Sequence, residues 1–66
     1  MRIELNGQAH ECPPGQTLDR LLADTGYGGR RVAVEVNREI VPRGRLGAHV
    51  LHEGDRVEIV HAIGGG

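Results

Sequence analysis

The residues that could do chemistry are four histidines, one cysteine, eight arginines and a closing run of glycines. His49 and His52 stand three apart, a spacing that suits metal ligation from one helical face. Gly44 and Gly47 break that region, and no cysteine pair or carboxylate cluster completes a ligand pattern around these two or around His10 and His61. The histidines therefore read as scattered surface or half-buried side chains. A reactive thiol needs a helix N-terminus or a nearby cation to lower its pKa. Cys12 precedes the expected helix by some residues, with Pro13 between, and reads as a packed thiol at a strand end. Gly7, Gly15 and Gly54 belong to no G-x-G-x-x-G or G-x-x-x-x-G-K-[ST] motif, so they read as turn residues. The basic pairs Arg30-Arg31 and Arg43/Arg45 are diluted by nine acids, which argues against a nucleic-acid stripe and for docking on an acidic protein partner.

The glycines Gly64-Gly65-Gly66 are the more pointed feature. A glycine run by itself reads as a flexible end. Here it follows directly on a strand-like segment, is too short to be a linker, and closes a recognisable order of elements. Glycine suits a carboxylate that must be threaded into another protein's narrow cleft, because side chains would block nucleotide and nucleophile from the carbonyl. The cost is the entropy lost when the tail is ordered on docking.

The elements that must position this tail are legible one by one. Ile3 and Leu5 alternate with Arg2, Glu4 and Asn6, as in a half-buried strand. Asn6-Gly7 is a hairpin signal, because a type I′ turn needs positive φ at both central positions. A second strand over Gln8–Cys12 pairs back and is stopped by Pro13-Pro14. A helix is expected over 17–25. Thr17 would cap its first turn, Leu18, Leu21 and Leu22 form its apolar face, Asp19 faces the positive end of the dipole, and Gly26 ends it. Val32–Val36 is the clearest strand, followed by a tight turn at Asn37-Arg38 and a short strand at Glu39–Val41. Residues 43–52 read as irregular, anchored by Leu46, Val50 and Leu51. A turn at Gly54-Asp55 leads into a last strand from Arg56 to about Ala62, with Val57 and Ile59 facing inward.

The order β-β-α-β-β-β places two hairpins around one helix, with the first and last strands side by side. That is an α+β, β-grasp arrangement: a mixed sheet of about five strands, one covering helix and a flexible glycine tail. Residues 1–66 read as a single domain, with 64–66 projecting from it. A chain of this length buries only about 60% of its unfolded surface, leaving little room for an internal substrate cavity. Tyr27 is the lone aromatic residue, so the core is aliphatic. The formal net charge of −1 gives no general attraction to nucleic acid or anionic membrane. Every basic residue is arginine, so lysine chemistry is absent. One cysteine makes no internal disulfide, the first residues lack an apolar signal-peptide stretch, and no run is long enough to span a bilayer. The expectation is a soluble cytoplasmic protein.

Three stretches carry a specific resemblance: Gly15-Gln16-Thr17-Leu18-Asp19-Arg20-Leu21-Leu22, Val34 through Arg43 with its V-N-x-x-I-V-P-R pattern, and Gly54 through Gly66. Together they resemble the ThiS family, the ubiquitin-like sulfur carriers of thiamine biosynthesis, over essentially the whole chain. The resemblance implies a carrier and not an enzyme. A ThiF-type enzyme would adenylate the Gly66 carboxylate with ATP, the carrier itself binding no cofactor and no metal. Sulfur supplied through a cysteine desulfurase would displace AMP to leave a thiocarboxylate, which thiazole synthase ThiG would consume. Gly64 exceeds the family's minimal two-glycine ending and is read as tail flexibility, whereas Gly65 and Gly66 match it.

The docking face is expected on the outer side of the last strand, where Val60 and Ala62 are apolar, continuing through Ile63, Gly64 and Gly65. The neighbouring readings are a molybdopterin-synthase small subunit, a carrier for tRNA thiolation or cysteine synthesis, and a β-grasp interaction module whose tail is never modified.

Overall fold

Two turns, each opened by an asparagine, set the frame. In the computed structural model, which describes residues 1–61 (His61 by its backbone alone), Asn6 and Gly7 sit at φ 50° and 83°. Both positive angles are what a two-residue type I′ hairpin requires. They join β1 (Arg2–Leu5) to β2 (Gln8–Glu11), pairing Leu5 with Gln8 and Arg2 with Glu11. Asn37 and Arg38, at φ 52° and 71°, turn β3 (Val32–Val36) into β4 (Glu39–Val41) in the same way. β5 (Arg56–His61) enters between the hairpins, parallel to β1 and antiparallel to β3, giving the order β2-β1-β5-β3-β4. The expected five-stranded mixed sheet with its first and last strands adjacent is therefore what forms. The second strand is one residue shorter than expected, although the Cys12 N–H still reaches the Met1 carbonyl at 2.9 Å.

The helix α1 spans Leu18–Asp24, inside the expected 17–25, and buries Leu18, Leu21 and Leu22 against the sheet. Its start differs from the sequence reading. The Thr17 hydroxyl caps no backbone N–H and instead donates to the Asp19 carboxylate. The helix's leading donors are satisfied from a distant loop: the Leu18 N–H reaches the His49 carbonyl at 3.0 Å and the Asp19 N–H reaches that of Leu46 at 3.1 Å. The helix end follows expectation. Gly26 turns left-handed at φ 90°, the Tyr27 N–H bonds the Leu22 carbonyl at 2.8 Å, and the Gly26 N–H bonds that of Ala23 at 3.5 Å. This is a Schellman closure, which needs the freedom of glycine at that position.

The core gathers Ile3, Leu18, Leu21, Val34, Leu51 and Val57, all but sealed from solvent, with Leu22, Val36, Ile59 and Cys12 at its margin. Leu46 packs partly against it, as expected of an anchor. Val50 does not: it is 43% exposed and bridges Thr17 through its backbone. In an extended segment adjacent side chains point to opposite faces, so once Leu51 enters the core Val50 must face away. Arg43–Arg45 forms a turn of 3-10 helix within the region read as irregular. No helix among the described residues is long and apolar enough to cross a membrane.

Candidate functional site: the outer face of β5

β5 leads directly into residues 62–66, so what holds β5 also holds the base of the tail. Its inward side chains, Val57 and Ile59, are buried, and its outward ones alternate with them. The edges of the strand are fixed by the two turn asparagines. Asn6 accepts the Ile59 N–H on its side-chain oxygen at 2.8 Å and sends its own N–H to the Val57 carbonyl at 2.9 Å. Asn37 accepts the Arg56 N–H on its side-chain oxygen at 2.9 Å and donates its own N–H to the Arg56 carbonyl at 2.8 Å. Its side-chain amide also reaches Asp55 at 3.0 Å. An ion pair of 3.2 Å between Arg56 and Glu4 lies on the outer face. The asparagines thus serve twice, tolerating positive φ and bracing β5 from both neighbours. The positive φ at Asn6 is legible in the Asn6-Gly7 pair, whereas that at Asn37 and the bracing by both side chains are not, because the bonds join residues up to 53 positions apart.

Val60 is 50% exposed on the open face of the sheet, where the sequence reading put it. Ladder register places Ala33 opposite Val60, and Glu35 opposite both Glu58 and Ile40. Ile40 is 71% exposed, unusual for a large aliphatic residue on a strand. Ile40, Ala33 and Val60 therefore share one face of adjacent strands, with the carboxylates of Glu35 and Glu58 beside them. Ile40 and Ala33 were not found from the sequence. The signal was available: a two-residue turn at Asn37-Arg38 pairs Val36 with Glu39 and hence Glu35 with Ile40. Ala62, Ile63, Gly64, Gly65 and Gly66, the other expected contact and reacting residues, lie outside the described residues.

The remaining candidates do not assemble into a reactive site. Cys12 is buried, and burial pushes its thiol above the ordinary value against a smaller opposing pull from the N-terminal ammonium. A nucleophilic thiol needs the opposite shift. Among the described residues no three histidine, cysteine or acidic side chains converge as metal ligands. His49 lies beside Ile40, Pro42 and Arg45 in a surface hollow of about 360 Å³, with no carboxylate among the described residues that line it.

Comparison with known proteins places this geometry. The model of the ThiS family matches residues 3–66. The Escherichia coli sulfur carrier protein ThiS is 35% identical over the full length of both chains. Thiazole synthases of Magnetococcus marinus and Paramagnetospirillum magneticum are 50% and 39% identical over all 66 residues. The chain spans about one fifth of the length of those two proteins. The crystal structure of the thiamine biosynthesis protein ThiS from Geobacter metallireducens superposes with a TM-score of 0.88 at 28% identity, covering both chains completely. The strand order, the hairpin register and a family match that runs through the final glycine agree: this chain belongs to the ThiS family.

Proposed function

We propose that this chain is a sulfur carrier in thiamine biosynthesis and that Gly66 bears the sulfur as a thiocarboxylate. The observation that carries the reading is the family match over residues 3–66, which includes the glycine run. A free carboxylate is a poor electrophile. In the proposed sequence a ThiF-type enzyme attaches AMP from ATP to the Gly66 carboxylate, releasing pyrophosphate. Sulfide, released by a thiol reductant from the persulfide of a cysteine desulfurase, attacks the acyl carbon and AMP leaves, so the carbonyl keeps one oxygen and gains one sulfur while the reductant is left as a disulfide. Thiazole synthase then takes that sulfur. Two relatives named thiazole synthase include a stretch that matches this whole chain, which supports such an enzyme as the acceptor. The carrier supplies a tethered reactive group at high effective concentration and binds no cofactor of its own.

The structure's part in this scheme is positional. A braced β5 fixes where the tail begins, and the apolar face of Val60, Ala33 and Ile40 offers a partner a surface beside it. Ala62, Ile63, Gly64 and Gly65 extend that contact into the cleft. Removing Gly66, or fusing an uncleaved tag after it, is expected to abolish sulfur transfer to thiazole synthase while the thermal melt stays unchanged. Normal transfer by the tagged protein would defeat the proposal.

A further inference from the structure

Among the described residues three arginines pair with a carboxylate: Arg2 with Glu11, Arg20 with Asp24 and Arg56 with Glu4. Among the described residues no carboxylate pairs with Arg30, Arg31, Arg43 or Arg45, and all four are exposed. The topology collects these four at one end of the sheet. His61, the last residue of β5, pairs with Val32, so Arg30 and Arg31 immediately precede the strand at that end. β4 runs antiparallel to β3, with Val41 opposite Val34, and the chain leaving β4 turns through Arg43–Arg45 at the same end. Arg30 and Arg43 line a common hollow of about 280 Å³ whose apolar wall includes Leu22, Val32 and Leu46. The one carboxylate among its described lining residues, Asp19, already accepts from the Thr17 hydroxyl and the Arg20 N–H.

We propose that Arg30, Arg31, Arg43 and Arg45 form an electropositive docking surface for an acidic patch on the protein that receives the tail. The hollow between Arg30 and Arg43 takes a carboxylate side chain of that protein. The inference rests on the carrier reading above and adds the charge of the partner's surface. Guanidinium groups beside apolar walls are well suited to paired hydrogen bonds with a carboxylate removed from water. A long polyanion fits less well, because Glu35 and Glu58 lie on the adjoining open face and the net charge is −1. A protein patch of limited size can match the arginines and avoid those acids. Charge complementarity of this kind acts on encounter rate and salt dependence.

The test uses the full chain with its host's ThiF-type enzyme and its host's thiazole synthase as separate probes. Affinity is measured by calorimetry at several salt concentrations, and thiocarboxylate formation is followed at saturating activating enzyme. Arg30→Ala/Arg43→Ala is compared with Arg38→Ala, which removes, at the opposite end of β3, an arginine that pairs with no carboxylate among the described residues. The double variant is expected to bind at least one probe about tenfold more weakly at low salt, with a shallower salt dependence, and still to be modified at saturation. Arg38→Ala is expected to bind like wild type. If wild type is modified but the double variant binds both probes as well as Arg38→Ala does, the arginine surface falls and the carrier reading stands. If wild type binds with the expected arginine dependence but is never modified, the carrier reading falls and the surface stands. Absence of binding to either probe at any salt overturns both. Arginine-dependent binding of a single-stranded oligonucleotide, with affinity for both enzymes unchanged, would replace the acidic protein with nucleic acid and overturn the inference.

Discussion

Replacing Val60 by glutamate separates docking from folding. Val60 is half exposed in the free protein, and its cross-strand neighbour is the small, exposed Ala33. The substitution therefore removes little buried surface and opens no cavity. It adds a further carboxylate close to Glu35 and Glu58 on the open face. Like charges on neighbouring strands cost a fraction of a kcal/mol, up to about 1 kcal/mol. In the complex the same side chain would sit at the centre of an apolar contact made by Val60, Ala33 and Ile40. An uncompensated charge in such a place costs about 2–4 kcal/mol, or roughly a 30- to 1000-fold loss of affinity. Titration calorimetry against the activating enzyme, beside a thermal melt, reads both quantities. The account expects a large fall in affinity with a nearly unchanged melt. Unchanged affinity would remove Val60 from the docking face, and a collapsed melt would show that the open face carries core packing.

Further outcomes follow from the interior and from the braces on β5. Leu21→Ala removes a side chain with no solvent exposure from the helix and is expected to destabilise by about 2–5 kcal/mol; an unchanged melting temperature would contradict the core assignment. Asn6→Ala leaves the Ile59 N–H without its acceptor and puts alanine at φ 50°, for a loss of about 2–4 kcal/mol, whereas Asn6→Gly should recover only the backbone part. Asn6→Gly as stable as the wild type by denaturant titration would show that the side-chain bond to β5 contributes nothing. Burial raises the Cys12 thiol above its ordinary value of 9.0, so the folded state holds that proton to higher pH than the unfolded chain does. The stabilising contribution is therefore complete below the unfolded value and is lost as pH rises through the folded one. Denaturant titrations across the alkaline range should show this decline in the wild type and a flatter profile in Cys12→Ala.

What was legible in the sequence is what local chemistry determines. Asn6-Gly7 specifies its hairpin, because few residue pairs accept two positive φ angles in a row. Leu18, Leu21 and Leu22 mark the helix face by spacing, and Val57 and Ile59 mark the inward side of β5 by alternation. The misreadings arise where one segment serves another far along the chain. Thr17 looked like a cap, but the carbonyls of Leu46 and His49 reach the helix donors first, leaving the hydroxyl to Asp19. Val50 looked like an anchor until Leu51 took the core position beside it. Ile40 sits on a strand of three residues, too short for alternation to mark its face, although the turn before it fixes its register with β5 through β3. The tail differs in kind: glycine permits close approach to a carbonyl, but the chemistry proposed for Gly66 rests on the combination of motifs and not on any single spacing.

The central claim is that Gly66 becomes a thiocarboxylate. Intact-protein mass spectrometry tests it most directly, on the full chain incubated with its host's ThiF-type enzyme, ATP and a sulfide source. The account predicts a mass increase equal to exchanging one oxygen for sulfur, dependent on ATP, located on the last glycine by fragmentation and absent when Gly66 is deleted. An unmodified mass under conditions in which the same enzyme is active, or a sulfur found on Cys12 instead, would contradict it.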